Sequence, residues 1–278
     1  MSGLLRRVGL DPYTVFRVFK YIIYTLLLWN VLLFFQEDLA ASAETFGDTV
    51  TWRNVVEAYS ATIDTAAWLI LLLLFELETA VIDDEKLKGN IKWLFTGIRG
   101  ISYFFIVYAF YGYCYKYAVL SQLAPFTVAD VCSLVGSEFT WVSDLDEYVP
   151  IDAASCQALQ GQELLRVEGT SIISSVSALQ DALRLAVVDI VNAADWLLIV
   201  ALLEVEVYLQ LRDRLTDQMI RVGRWFKGGL YGILFCAAAY WGVKGDFLDF
   251  WDAFLWLVAF IFIEMNIFQW HEDTESEK

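Results

Sequence analysis

The sequence predicts an all-α, polytopic membrane protein. Six transmembrane helices form three pseudo-threefold-related hairpins, the third split between the first and last helices, and an acidic outer loop domain is added. Three observations lead there. The 278 residues are 58% hydrophobic and 16% aromatic, with a mean hydropathy of +0.52. Apolar runs approach or exceed the roughly 20 residues that cross a bilayer. The pattern Asp/Asn-x3-Trp-x7-Glu-x-Glu/Asn occurs three times: Asp64, Trp68, Glu76, Glu78; Asn192, Trp196, Glu204, Glu206; and Asp252, Trp256, Glu264, Asn266.

The runs cover 19–36, 60–82, 93–118, 190–211, 222–243 and 250–270. They divide the chain into helices one to three (1–118), an extracytoplasmic segment (119–185), and helices four to six with a short tail (186–278). Basic residues set the orientation, because Lys and Arg gather in cytoplasmic loops. Arg6, Arg7, Arg17 and Lys20 precede or open the first span. Lys86, Lys88 and Lys92 follow the second, and Arg212, Arg214, Arg221 and Arg224 follow the fourth. Both termini are therefore expected on the cytoplasmic side of a membrane, expected to be a bacterial inner membrane. A basic start, an apolar stretch and Ala41-Ser42-Ala43 imitate a secretory signal. The acidic Gln36-Glu37-Asp38 before that site argues for retention of the first span.

A shift of 128 residues superposes the block from Trp68 to Glu78 on that from Trp196 to Glu206, and Arg99-Gly100 on Lys227-Gly228. Each block is a helical hairpin in which the first glutamate precedes a base by 23 residues, an internal repeat. Lys20-x3-Tyr24 matches Arg99-x3-Tyr103 and Lys227-x3-Tyr231, so the first span is the partner of the last. The resulting plan is similar to the mitochondrial carrier architecture in helix number and threefold order, but that family's Pro-x-Asp/Glu-x-x-Lys/Arg signature is absent.

Charge in hydrocarbon is costly and by default marks function or paired structure. Glu76, Glu204 and Glu264 lie at nearly the depth that Lys20, Arg99 and Lys227 can reach, which predicts three intramembrane ion pairs. Glu78 and Glu206 are surplus. They sit about 200° around the helix from Glu76 and Glu204, so each pair of acids faces two different neighbours. Tyr24, Tyr103 and Tyr231 follow their bases by one turn and are expected to support the glutamates. Trp68, Trp196 and Trp256, seven or eight residues outward, are expected to pack or to anchor at the interface. Asp64, Asn192 and Asp252 are expected to open their helices at the outer interface.

Two functions fit this layer. One is an ion (proton or cation) channel or ion-coupled transporter, since carboxylates suit H⁺, Na⁺, Ca²⁺ or Mg²⁺; the metal, if any, is left open. The alternative is a non-catalytic membrane scaffold or accessory subunit with the charges as structural ion pairs. An enzyme is not expected: there is one histidine, His271, and no nucleophile elbow or P-loop. No cofactor is expected.

The net charge of −16 argues against nucleic acid as a partner. The expected partners are the lipid bilayer and a protein docking on the acidic outer loop, and a homo-oligomer is compatible with the pattern. Within that loop, 159–190 shows helical periodicity (Leu164, Leu165, Ile172, Ile173, Val176, Leu179, Leu183) and is expected to extend the fourth span outward. Cys132 and Cys156 are the disulfide candidates in an oxidising compartment. Cys114 and Cys236 are expected to be buried small hydrophobes.

Overall fold

The computed structural model describes residues 12–46, 55–78, 82, 89–145, 147–210, 212 and 214–260. Helices dominate: α1 (Pro12–Phe46), α2 (Val55–Ala58), α3 (Ser60–Glu76), α4 (Asn90–Leu120), α5 (Ala153–Leu159), α6 (Val176–Gln210) and α7 (Asp217–Lys244). Residues 247–260 form a further helix, α8. Among the described residues, three helical stretches are long and apolar enough to cross a membrane: Thr14–Leu39, Asn90–Leu120 and Val176–Glu206. The chain is accordingly read as membrane-associated.

It separates into two compact units. The first gathers residues 1–34, 64–105 and 202–278. It is a helical bundle with buried Leu27 and Phe34 on α1, Leu72 and Leu74 on α3, Leu234 and Trp241 on α7, and Leu255 and Phe260 on α8. Helix ends are marked in the sequence. Thr216 caps α7 by accepting from the Met219 N–H, and Gly245 closes it in the left-handed region at φ 97°, which glycine adopts at no steric cost. The exposed helix faces carry large apolar side chains, among them Trp93 and Trp225, as lipid contact requires.

Burial along the base-bearing helices is periodic. Three, seven and ten residues after Lys20 come Ile23, Leu27 and Asn30; after Arg99, Ser102, Ile106 and Ala109; after Lys227, Leu230, Leu234 and Ala237. All nine are buried.

The second unit, residues 35–63 and 106–201, corrects the all-α expectation. It holds a five-stranded sheet in the order β1 (Leu123–Phe126), β4 (Leu164–Val167), β5 (Ile172–Ser175), β2 (Thr140–Asp144), β3 (Glu147–Pro150). The neighbours are antiparallel except β2 and β5, which pair in parallel through Thr140–Ile172 and Trp141–Ile173. The expected helix over 159–190 is thus two strands followed by a helix that starts at Val176. Its apolar residues fit both periods. What breaks the helix is the turn at Gly169, φ 76°, with Arg166 Nε donating to the Thr170 carbonyl at 2.7 Å. Ser175 Oγ then accepts from the Ala178 N–H at 3.3 Å and starts α6.

The sheet is a middle layer, and alternate side chains serve opposite faces. Val142, Val167, Leu165 and Ile172 pack with Leu120 at the end of α4 and with Leu179, Ala182 and Ala186 at the start of α6. Trp141, Leu164 and Ile173 face the other way, onto Val131, Ile151, Cys156 and Leu159. A disulfide joins Cys132, in the 3₁₀ turn Val131–Leu134, to Cys156 on α5. Asp152 caps α5, accepting from the backbone N–H groups of Ala154 and Ser155 while Ser155 Oγ accepts from the Asp152 N–H. These bonds hold the Asp152 carboxyl below the usual aspartate range, the Ser155 backbone N–H contributing most.

Of the two free thiols, Cys114 is half-buried and Cys236 exposed, so neither is a buried hydrophobe. Cys236 shares the outer face of α7 with Phe235, while Leu234, Ala237 and Ala238 turn inward.

Candidate functional site

The charged layer lies in the first unit. Lys20 on α1 reaches Glu76 on α3 at 2.5 Å, and both side chains are buried. Tyr24, one turn along α1, donates to the other oxygen of Glu76 at 3.2 Å. Arg99 on α4 pairs with Glu78, just past α3. Lys227 on α7 pairs with Glu206 on α6 at 3.0 Å. Glu206 also presses against Gly223, one turn before Lys227, so closely that a Cβ there would collide with its carboxylate.

Arg99 and Lys227 therefore bind the second acid of each Glu-x-Glu, not Glu76 and Glu204 as the depth argument has it. Residues two apart face different neighbours, and the rotation of α3 and α6 turns the first acid toward an earlier helix. Glu76 faces α1. Glu204 accepts a hydrogen bond from the Tyr103 hydroxyl of α4 at 2.6 Å. Glu204 is exposed, and no base pairs with it among the described residues. Glu264, Asn266 and His271 lie outside the described residues; Tyr231 is half-buried on α7.

Trp68, Trp196 and Trp256 are all buried, so they pack rather than anchor at an interface. Within the first unit, Trp68 and Trp256 meet edge to face at 6.4 Å. The Trp256 side chain hydrogen-bonds to Asp252, four residues back on the same helix face. That bond gives the x3 spacing a role in the Asp252–Trp256 copy; in the Asn192–Trp196 copy Asn192 Oδ1 has no partner. Asp252 does not simply open a helix. Its Oδ1 accepts at 2.9 Å from Nδ2 of Asn30, a fully buried residue of α1.

Sequence reasoning missed Asn30 and Asp195. Both are polar, both are buried, and neither belongs to the repeated pattern. The signal was a polar residue inside an apolar run, overshadowed by the glutamates. Among the described residues, no three His, Cys, Asp or Glu side chains gather as a metal-binding group. Compared with known proteins, the chain matches no family model, no curated protein and no solved structure.

Proposed function

We propose that this chain is an integral membrane protein of six spans that handles protons or small cations, with Glu204 as the working acid and the other described charges of the layer as struts. The observation that carries the reading is the contrast among four acids. Glu76, Glu78 and Glu206 each hold a base, whereas among the described residues Glu204 holds only the Tyr103 hydroxyl. A carboxylate bonded to a phenol keeps the capacity to take up and release a cation, which a salt-bridged one has spent on its partner.

A threefold plan, with the third hairpin split between the termini, accounts for the bonds. Arg99–Glu78 and Lys227–Glu206 are each 21 residues apart. The third counterpart of these acids is Asn266, which is neutral, and Lys20 is bonded to Glu76 instead. Tyr24 donates to Glu76 and Tyr103 to Glu204. The shared burial register after each base, described above, supports the same plan. Both termini face the cytoplasm of a bacterial inner membrane in this reading, and the disulfide-bonded sheet unit belongs to the oxidising side.

A second reading has its own observation. One-to-one pairing of three acids with three bases is what a girdle fixing the hairpins needs. A scaffold presenting the sheet unit to a partner protein would require nothing more.

Ion flux separates the two. Purified protein in proteoliposomes should conduct or exchange at least one of H⁺, Na⁺, K⁺ and Ca²⁺ above empty vesicles. Flux equal to empty vesicles for all four ions would favour the scaffold.

A further inference from the structure

Asp195 lies in α6, in the part belonging to the second unit, and is buried. Its Oδ2 has no hydrogen-bond partner, and neither has Oδ1 of Asn192. Among the described residues no Lys or Arg forms an ion pair with Asp195. The nearest acids along its own helix are Asp189, which has its own partner, and Glu204, which accepts from Tyr103. A buried carboxylate with no base beside it is costly to keep inside a membrane span.

Packing does not call for an acid there. Asp195 directly precedes Trp196, and the residues that precede Trp68 and Trp256 in the same pattern are Ala67 and Leu255, both buried. An apolar residue fills that place twice, so the carboxyl is there for its chemistry. Asn192 and Asp195, three apart on a helix, are neighbours on one face, with Cβ atoms about 5–6 Å apart. What this arrangement holds is two acceptors facing a shortage of donors. One proton supplies both needs: it cancels the charge and provides the O–H that Asn192 Oδ1 lacks. A metal cation would need about six oxygens around it, and two side chains do not provide them.

We propose that Asp195 and Asn192 form an intramembrane proton-binding site, with the proton on the Asp195 carboxyl and its O–H donated to Asn192 Oδ1. The site is separate from the Glu204 layer and stands whether or not that layer moves ions.

Infrared difference spectroscopy on the full chain in lipid vesicles at neutral pH tests it. Subtracting the spectrum of Asp195→Asn from that of the wild type should leave a carboxylic-acid C=O band that shifts in D₂O. Absence of that band overturns the proposal. Should Asp195→Asn fail to fold, Asn192→Leu gives the second reading. Removing the acceptor should move the band to higher frequency, and an unmoved band overturns the assigned partner and with it the site. Glu204→Gln should leave the band in place; its loss in that variant would place the proton elsewhere and contradict the site.

Discussion

Lys20 and Glu76 are 56 residues apart in sequence, yet their charged ends meet at 2.5 Å with both side chains buried. The contact ties α1 to α3 and gives the base in the first span a partner that the hairpin pattern alone does not assign to it. Desolvating two charges costs much of what their attraction returns, so such a pair contributes little net stability while its rupture is expensive.

Glu76→Met should therefore destabilise the protein by about 3–5 kcal/mol, because it strands the Lys20 ammonium. The double replacement Lys20→Met with Glu76→Met should recover most of that loss. Denaturant unfolding in detergent micelles of the two singles and the double closes the cycle. Additive losses would deny the coupling.

Gly223 is kept small by the Glu206 carboxylate lying against it. Gly223→Ala should cost about 1–3 kcal/mol by overpacking and displace the Lys227–Glu206 pair. Gly97→Ala on α4, where nothing lies near an added Cβ, should instead be neutral or gain up to about 1 kcal/mol of helix propensity. Melting temperatures of the two variants should move in opposite directions or, at least, only the first should fall.

The Cys132–Cys156 bond closes a loop of sequence separation 24, for which chain entropy alone gives about 3 kcal/mol. Cys132→Ser, or reduction of the folded chain, should lower the stability of the sheet unit by that order. Protease sensitivity within 123–175 is the readout. Equal resistance with and without reductant would show that the sheet holds without the bond.

Asp152 sets a pH dependence in the same unit. Its carboxyl is depressed below the ordinary 3.8 by the Ser155 and Ala154 bonds, so its contribution is full above that value and is lost as pH falls through the lower folded one. Stability of the sheet unit should decline on acidification in that window. Asp152→Asn, which keeps a capping oxygen but does not titrate, should flatten this part of the pH profile. A profile unchanged by the substitution would show that the Asp152 cap does not set this pH dependence.

Much of the bundle was legible because buried charge is conspicuous. Glutamates inside apolar helices, with bases at matched spacing, predicted pairs on Glu76, Glu204 and Glu264; among the described residues only Glu76 of these holds a base, while Arg99 and Lys227 take Glu78 and Glu206. Their partners were not legible, because choosing between Glu76 and Glu78 depends on helix rotation, which hydropathy does not encode. The sheet escaped for another reason. Strands of four or five residues such as Leu164–Val167 and Ile172–Ser175 carry apolar pairs that satisfy a helical period equally well, and only the turn at Gly169 separates the two. Asp195 was overlooked because it stands beside a tryptophan already assigned a role.

In the proposed function Glu204 works while Glu76, Glu78 and Glu206 brace the bundle. Flux and thermal stability measured on one preparation of Glu204→Gln test it most directly. Unchanged melting with flux abolished is the expected result. Wild-type flux in the variant, or a variant that loses its fold, would contradict it.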